Sequence, residues 1–161
     1  MINKIEIIFE DGDLLVINKP PGLICNRADS VRGETLQDFM ETKYSEIINQ
    51  RSGEVDEIVN NEFIKRSGLV HRLDKDTSGT MILVKNAKTY AFVKGQFMDR
   101  KIKKKYWALV HGELSPRIGT INLPIKRNSF NREKFGVNID GKMAKTKYRV
   151  ISKYRAGDNE K

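Results

Sequence analysis

The sequence predicts an α+β domain built on a mixed, mostly antiparallel sheet with flanking helices. Three observations carry this expectation. Short apolar runs such as Ile5-Glu6-Ile7-Ile8-Phe9 and Leu14-Leu15-Val16-Ile17-Asn18 have the length and composition of strands. Between such runs stand segments whose apolar residues recur at helical spacing. Glycine and proline clusters, most plainly Lys19-Pro20-Pro21-Gly22, mark where one element gives way to the next. With 161 residues, 39% of them apolar and 32% charged, the chain can bury one real core, and a single domain over residues 1–161 is expected.

The elements follow in order. Ile5 to Phe9 reads as a first strand, turned by Glu10-Asp11-Gly12-Asp13 into a second from Leu14 to Asn18. Proline cannot extend a ladder and Pro-Gly favours a tight turn, so the second strand stops there. Leu36, Phe39 and Met40 stand at helical spacing and predict a short helix from Glu34 to Met40. Residues 42–66 are polar and weakly patterned. In them Ile47, Ile48, Ile58, Val59 and Phe63 can anchor one or two surface helices. The charge-dense stretch Gly68 to Gly79 then opens onto a buried strand from Thr80 to Lys85. Asn86 is placed to cap a helix from Ala87 to about Asp99, with Tyr90, Val93 and Phe97 on one face. Tyr106 to Gly112 reads as a strand with Trp107 turned inward. Three more strands are expected at Ile118 to Ile125, Phe135 to Ile139 and Ala144 to Ser152. No internal repeat or low-complexity tract appears.

Composition narrows the function classes. The longest apolar runs are a few residues, far short of a membrane span. The N-terminus lacks the apolar core and cleavage site of a secretory signal, so a cytoplasmic protein is expected. One cysteine, Cys25, allows no intrachain disulfide and no cysteine-rich zinc site, and it reads as a small packing residue. The formal net charge of +9 is unevenly spread: residues 71–161 hold 22 Lys/Arg against 8 Asp/Glu, whereas residues 1–70 hold 8 against 13. A lopsided basic half points to a polyanion partner, because each cation placed on a phosphate releases a condensed counterion. A merely soluble basic surface is the plainer alternative.

Several chemistries are absent from the sequence. There is no GxxxxGK[ST] phosphate loop and no GxGxxG. One Cys with His71 and His111 makes no zinc set, and no spacing of acids resembles a calcium loop. Ser78 lacks the surroundings of a nucleophile elbow. What remains is a single carboxylate, Asp74, in a basic setting beside Arg72 and Lys75. An oriented, ionised carboxylate serves as nucleophile or as base, and a solvated turn is the alternative for any Asp-Lys-Asp loop. Asp76 reads as ordering the loop through backbone hydrogen bonds, and His71 as a hydrogen-bonded scaffold residue. The run Arg100 to Lys105, with Lys103, Lys104 and Lys105 leading into Tyr106-Trp107, has the ingredients of nucleic-acid binding: cations for phosphates and a ring for a base. Lys142, Lys145, Lys147 and Arg149 decorate the last expected strand. A glycoside hydrolase using Asp74 and Asp76 fails geometrically, since neighbours two apart in a tight loop do not bracket a sugar.

These motifs carry a resemblance. Leu15-Val16-Ile17-Asn18-Lys19-Pro20-Pro21-Gly22-Leu23, His71-Arg72-Leu73-Asp74-Lys75-Asp76-Thr77-Ser78-Gly79, Lys104 to Gly112 and Gly141-Lys142-Met143-Ala144-Lys145-Thr146-Lys147-Tyr148 occur in the order found in RluA-like RNA pseudouridine synthases. The chain resembles that family from about residue 5 to residue 152. The resemblance implies isomerisation of uridine to pseudouridine in ribosomal or transfer RNA, on a nucleotide flipped out of the stack. It implies that Asp74 is the essential carboxylate, that Tyr106 stacks on the base and helps move a proton, and that Arg72 holds the vacated place in the RNA. Lys75, Lys103, Lys104, Lys105, Lys145 and Lys147 would meet the RNA. No metal, organic cofactor or membrane is implied, and a complete protein of this kind is expected to be a monomer.

Two departures from the family pattern stand out. The chain ends before an Arg-Thr-His-Gln-Ile-Arg segment whose first arginine would pair with the aspartate, so a catalytic domain incomplete at its C-terminus is expected. The small N-terminal RNA-binding domain of some members is not seen. A non-catalytic RNA-binding remnant of the same fold is therefore the rival expectation.

Overall fold

The computed structural model describes residues 5–131 and 134–154. Its residues fall into two compact units, Met1–Lys105 and Tyr106–Lys161. Every strand pairing among the described residues is antiparallel, and helices accompany the sheet of the first unit. The α+β expectation holds, with the strands divided between two three-stranded sheets.

In the first unit β1 (Glu6–Glu10), β2 (Leu14–Lys19) and β3 (Gly79–Val84) form a sheet in that order. Asp11 makes the first turn by accepting the Asp13 and Leu14 N–H groups on its carboxylate at 2.8 and 2.7 Å. Register sets the buried face: Leu15 lies opposite Leu83 and Ile17 opposite Met81, and all four are fully buried. Against this face pack Leu36, Phe39 and Met40 of α1 (Leu36–Lys43), Ile48 of α2 (Ser45–Ile48), Phe63 of α3 (Glu57–Lys65) and Tyr90 of α4 (Ala87–Met98).

Local chemistry fixes where these helices begin. Thr35 and Asp38 form a reciprocal capping box at α1, and Asp56 caps α3 through the Val59 N–H. Asn86 caps α4 as its sequence position predicts, accepting the Thr89 N–H at 2.8 Å. Asn86→Ala should cost about 1 kcal/mol, the usual worth of a lost N-cap, read as a lower denaturation midpoint with an unchanged slope. Of the anchors expected in residues 42–66, Ile48 and Phe63 are buried, whereas Ile58 is exposed on the outer side of α3.

Gly68 joins α3 to the sheet. Its φ is +76°, and a Cβ there would run into the Val84 carbonyl oxygen. The close approach lets Val84 N–H donate to Gly68 at 3.0 Å, tying the base of the Gly68–Gly79 loop to the end of β3.

The second unit holds β4 (Ile118–Arg127) between β5 (Phe135–Val137) and β6 (Lys142–Arg149). Gly141 opens β6 where a Cβ would sit 2.6–2.7 Å from Ile125 backbone atoms, so only glycine fits this crossing. The strand expected from Tyr106 to Gly112 is not formed. No described strand pairs with it, and without a ladder its extended residues have no partner. Trp107, expected to turn inward, is 87% exposed for the same reason. The expectation of an unfinished domain rests partly on residues 155–161, which lie outside the described residues.

Candidate active site

The site begins with β2. Leu15, Ile17 and Lys19 share one side of the strand, so the two-residue period that buries the leucine and isoleucine carries a lysine into the core as well. Lys19 is fully buried and, among the described residues, forms no ion pair with a carboxylate. Its ammonium donates to three backbone carbonyls: Leu23 at 2.8 Å, Pro20 at 3.0 Å and Lys75 at 3.0 Å. Burial pushes its pKa below the ordinary lysine value, and the nearby charges of Asp76 and Asp74 oppose that shift. The Gly22 N–H adds a fourth bond, donating to the Lys75 carbonyl at 2.8 Å. The Lys-Pro-Pro-Gly turn and the Asp74 loop are thus clamped together at the Lys75 carbonyl, by the Lys19 ammonium and the Gly22 N–H.

On that support Asp74 faces water. Its side chain is 87% exposed, and the Arg72 guanidinium stands 3.7 Å away, itself 70% exposed. The Thr77 N–H donates to the Asp74 carbonyl at 3.1 Å, closing the turn that presents the carboxylate. Leu73, between Arg72 and Asp74, is buried, so the chain alternates one anchor with two displayed charges. Cys25 secures the anchor from below: its thiol donates to the Leu73 carbonyl at 3.2 Å and touches Met81 Sδ at 3.6 Å. This is the packing role expected of it.

His71 completes the support. The Ile82 N–H donates to its Nε2 at 3.0 Å, and its ring stacks on Phe97 with centroids 4.6 Å apart. Burial, reinforced by the charge of Lys104, pushes its pKa down to about 4. The imidazole is therefore neutral near pH 7 and accepts from the backbone, as a scaffold residue must. Asp76 departs from expectation. Among the described residues its carboxylate accepts no backbone hydrogen bond and lies exposed, while Lys19 and Gly22 hold the loop through the Lys75 carbonyl.

The first unit thus brings Asp74, Arg72 and Lys75 onto one loop, with Lys104 close enough to act on His71. Lys103, Lys104 and Lys105 are all exposed at the end of that unit. Tyr106 opens the second unit, 62% exposed, and Lys145 and Lys147 stand on its strand β6. The clamp at Lys19 is the feature that sequence reasoning missed. The signal was present in the Leu15-Ile17-Lys19 alternation, which puts a lysine in phase with two core residues.

The antiparallel α+β fold that displays Asp74 beside Arg72 is shared with solved pseudouridylate synthase domain structures. Residues 13–161 match the RNA pseudouridylate synthase family, and the chain belongs to that family, in its RluA-like branch. Ribosomal large subunit pseudouridine synthase D of Borreliella burgdorferi is 38% identical over 148 residues, covering 91% of this chain and 43% of that protein. The protein of the same name from Pseudomonas aeruginosa is 35% identical over 153 residues, covering 95% of this chain and 43% of its own length. The structure of human RNA pseudouridylate synthase domain containing 4 superposes with a TM-score of 0.55 at 28% identity, over 88% of this chain and 47% of that one. Human RNA pseudouridylate synthase domain containing 1 shares the fold, with a TM-score of 0.58 at 22% identity over 91% of this chain and 50% of that one. The chain spans somewhat less than half the length of the curated relatives named here. No helix among the described residues is long and apolar enough to cross a membrane.

Proposed function

We propose that this chain carries the aspartate-bearing part of an enzyme that isomerises uridine to pseudouridine in RNA, with ribosomal RNA as its substrate. The observation that carries the reading is the exposed Asp74 carboxylate on a loop clamped from beneath by Lys19, in a chain of this family. The reaction breaks the bond from ribose C1′ to uracil N1 and forms one from C1′ to C5. C5 loses a proton and N1 gains one, so no redox partner or outside atom is required. A carboxylate held in water-accessible, rigid backbone can serve either as nucleophile or as the group that removes a proton. On this reading Arg72 fills the gap left by the extruded nucleotide and Tyr106 stacks on the base, as the family resemblance implies. Lys75, Lys103, Lys104 and Lys105 supply cations for phosphates.

Mapping pseudouridines in ribosomal and transfer RNA from cells with and without the gene tests this reading. At least one ribosomal uridine should lose its modification and regain it when the gene is restored. Unchanged maps of both RNA classes would overturn the proposal, and a loss confined to transfer RNA would move the substrate there. Recovery of RNA binding without any modification is the outcome that would favour a non-catalytic remnant.

A further inference from the structure

Antiparallel partners share a face, so the β4–β6 register sorts the sheet of the second unit into two unlike surfaces. One carries Ile121, Leu123 and Ile125 with Ala144, Thr146 and Tyr148, and the cation Lys142 at its end opposite Ile125. The other sets Ile118 opposite Arg149, Thr120 opposite Lys147, Asn122 opposite Lys145 and, beyond the cations, Pro124 opposite Met143. Lys145, Lys147 and Arg149 are exposed, and none forms an ion pair with a described carboxylate. Lys126, farther along this face, is paired with Asp140 at 3.7 Å. Three uncompensated cations therefore follow one another at steps of about 7 Å, two residues of an extended strand. That spacing is shorter than the Debye length of about 8 Å at physiological salt, so the three repel one another in the free protein.

We propose that this row is a track for the phosphodiester backbone of a single RNA strand, gripped without regard to base sequence. The polyanion is taken to be RNA on the strength of the function proposed above. The row itself argues for a linear partner with regularly spaced charges, because the cations lie along one strand and do not converge on a point. Thr120 and Asn122 line its β4 side with neutral hydrogen-bonding groups suited to phosphate and sugar oxygens. Among the described residues paired here no aromatic side chain shares this face, so it offers no ring on which a base can stack.

The test measures binding of the full chain to two single-stranded RNAs of unrelated sequence across a salt series, beside the triple variant Lys145→Gln, Lys147→Gln, Arg149→Gln. The slope of log affinity against log salt should flatten by about 2 for both RNAs, three phosphate contacts at roughly 0.7 each. The charge-preserving set Lys145→Arg, Lys147→Arg, Arg149→Lys should keep the original slope, and matched melting curves guard against misfolding. An unchanged slope, or one altered for a single RNA, overturns the track. So does equal charge-dependent binding to phosphatidylserine vesicles or to polyglutamate, which would make the row a general anion surface. Pseudouridine formation assayed in the same samples keeps the two readings apart. Isomerisation with an unchanged slope removes the track alone, whereas a flattened slope without isomerisation leaves the track and removes the enzyme.

Discussion

The Asp74→Asn protein is expected to bind RNA within a few-fold of the unaltered chain and to form no detectable pseudouridine, a loss of roughly 10⁴-fold or more in rate. The substitution exchanges one carboxylate oxygen for an amide nitrogen and keeps the shape. It removes the negative charge that both a nucleophile and a base require. The fold should not notice, because the Asp74 side chain is 87% exposed and its ion-pair partner Arg72 is 3.7 Å away and also solvated. The turn is closed by the Asp74 carbonyl, which asparagine retains. Single-turnover assays on an RNA modified by the unaltered chain, with melting curves as the folding control, give the measurement. An Asn variant that still forms pseudouridine would take the reaction away from Asp74.

Lys19→Met should act on the same loop by the opposite route, through the fold. Methionine fits the tunnel left by a buried lysine, but it donates nothing to the carbonyls of Pro20, Leu23 and Lys75. Each buried acceptor left unmet costs about 1–3 kcal/mol, while sparing an ammonium from burial returns part of that sum. The Lys75 carbonyl keeps the Gly22 N–H, which lowers the loss further. A net destabilisation of about 2–4 kcal/mol follows, read as a lower denaturation midpoint. Hydrogen exchange at the Gly22 amide should quicken at least tenfold relative to core amides, because the clamp around its acceptor is gone. Lys75→Met is the control, since the clamp uses only the backbone of that residue. A Lys19→Met protein as stable as the original, with Gly22 equally protected, would show that the carbonyl clamp holds nothing.

The residues show why some of this was legible in advance. The Asn86 cap, the β2 and β3 strands and the helix between Ala87 and Met98 are specified locally, by side chains within a few positions of the atoms they satisfy. The loop carrying Asp74 was visible because its charges, its Ser-Gly exit and the apolar run after it are contiguous. Lys19 was less legible: its alternation with Leu15 and Ile17 put it in phase with the core, but its acceptor at Lys75 lies 56 positions away. Lys85 repeats the lesson in milder form. It follows Met81 and Leu83 in the same alternation and is buried, donating to Glu10 and to the Asp11 carbonyl, both at 2.6 Å. Tyr106 to Val110 misled in the other direction. Its aromatic and β-branched composition has the propensity of a strand, but propensity alone supplies no neighbour to pair with.

The pairing of β2 with β3 has a consequence for quality control during folding. Lys19 sits opposite Gly79 in a ladder whose every step also matches Leu15 with Leu83 and Ile17 with Met81. A slip of one position would turn Lys19 outward together with both apolar residues, so a misthreaded sheet would forfeit its interior and its grip on the Asp74 loop in one stroke. A chain folded incorrectly at this seam therefore loses the support of the Asp74 loop together with its core.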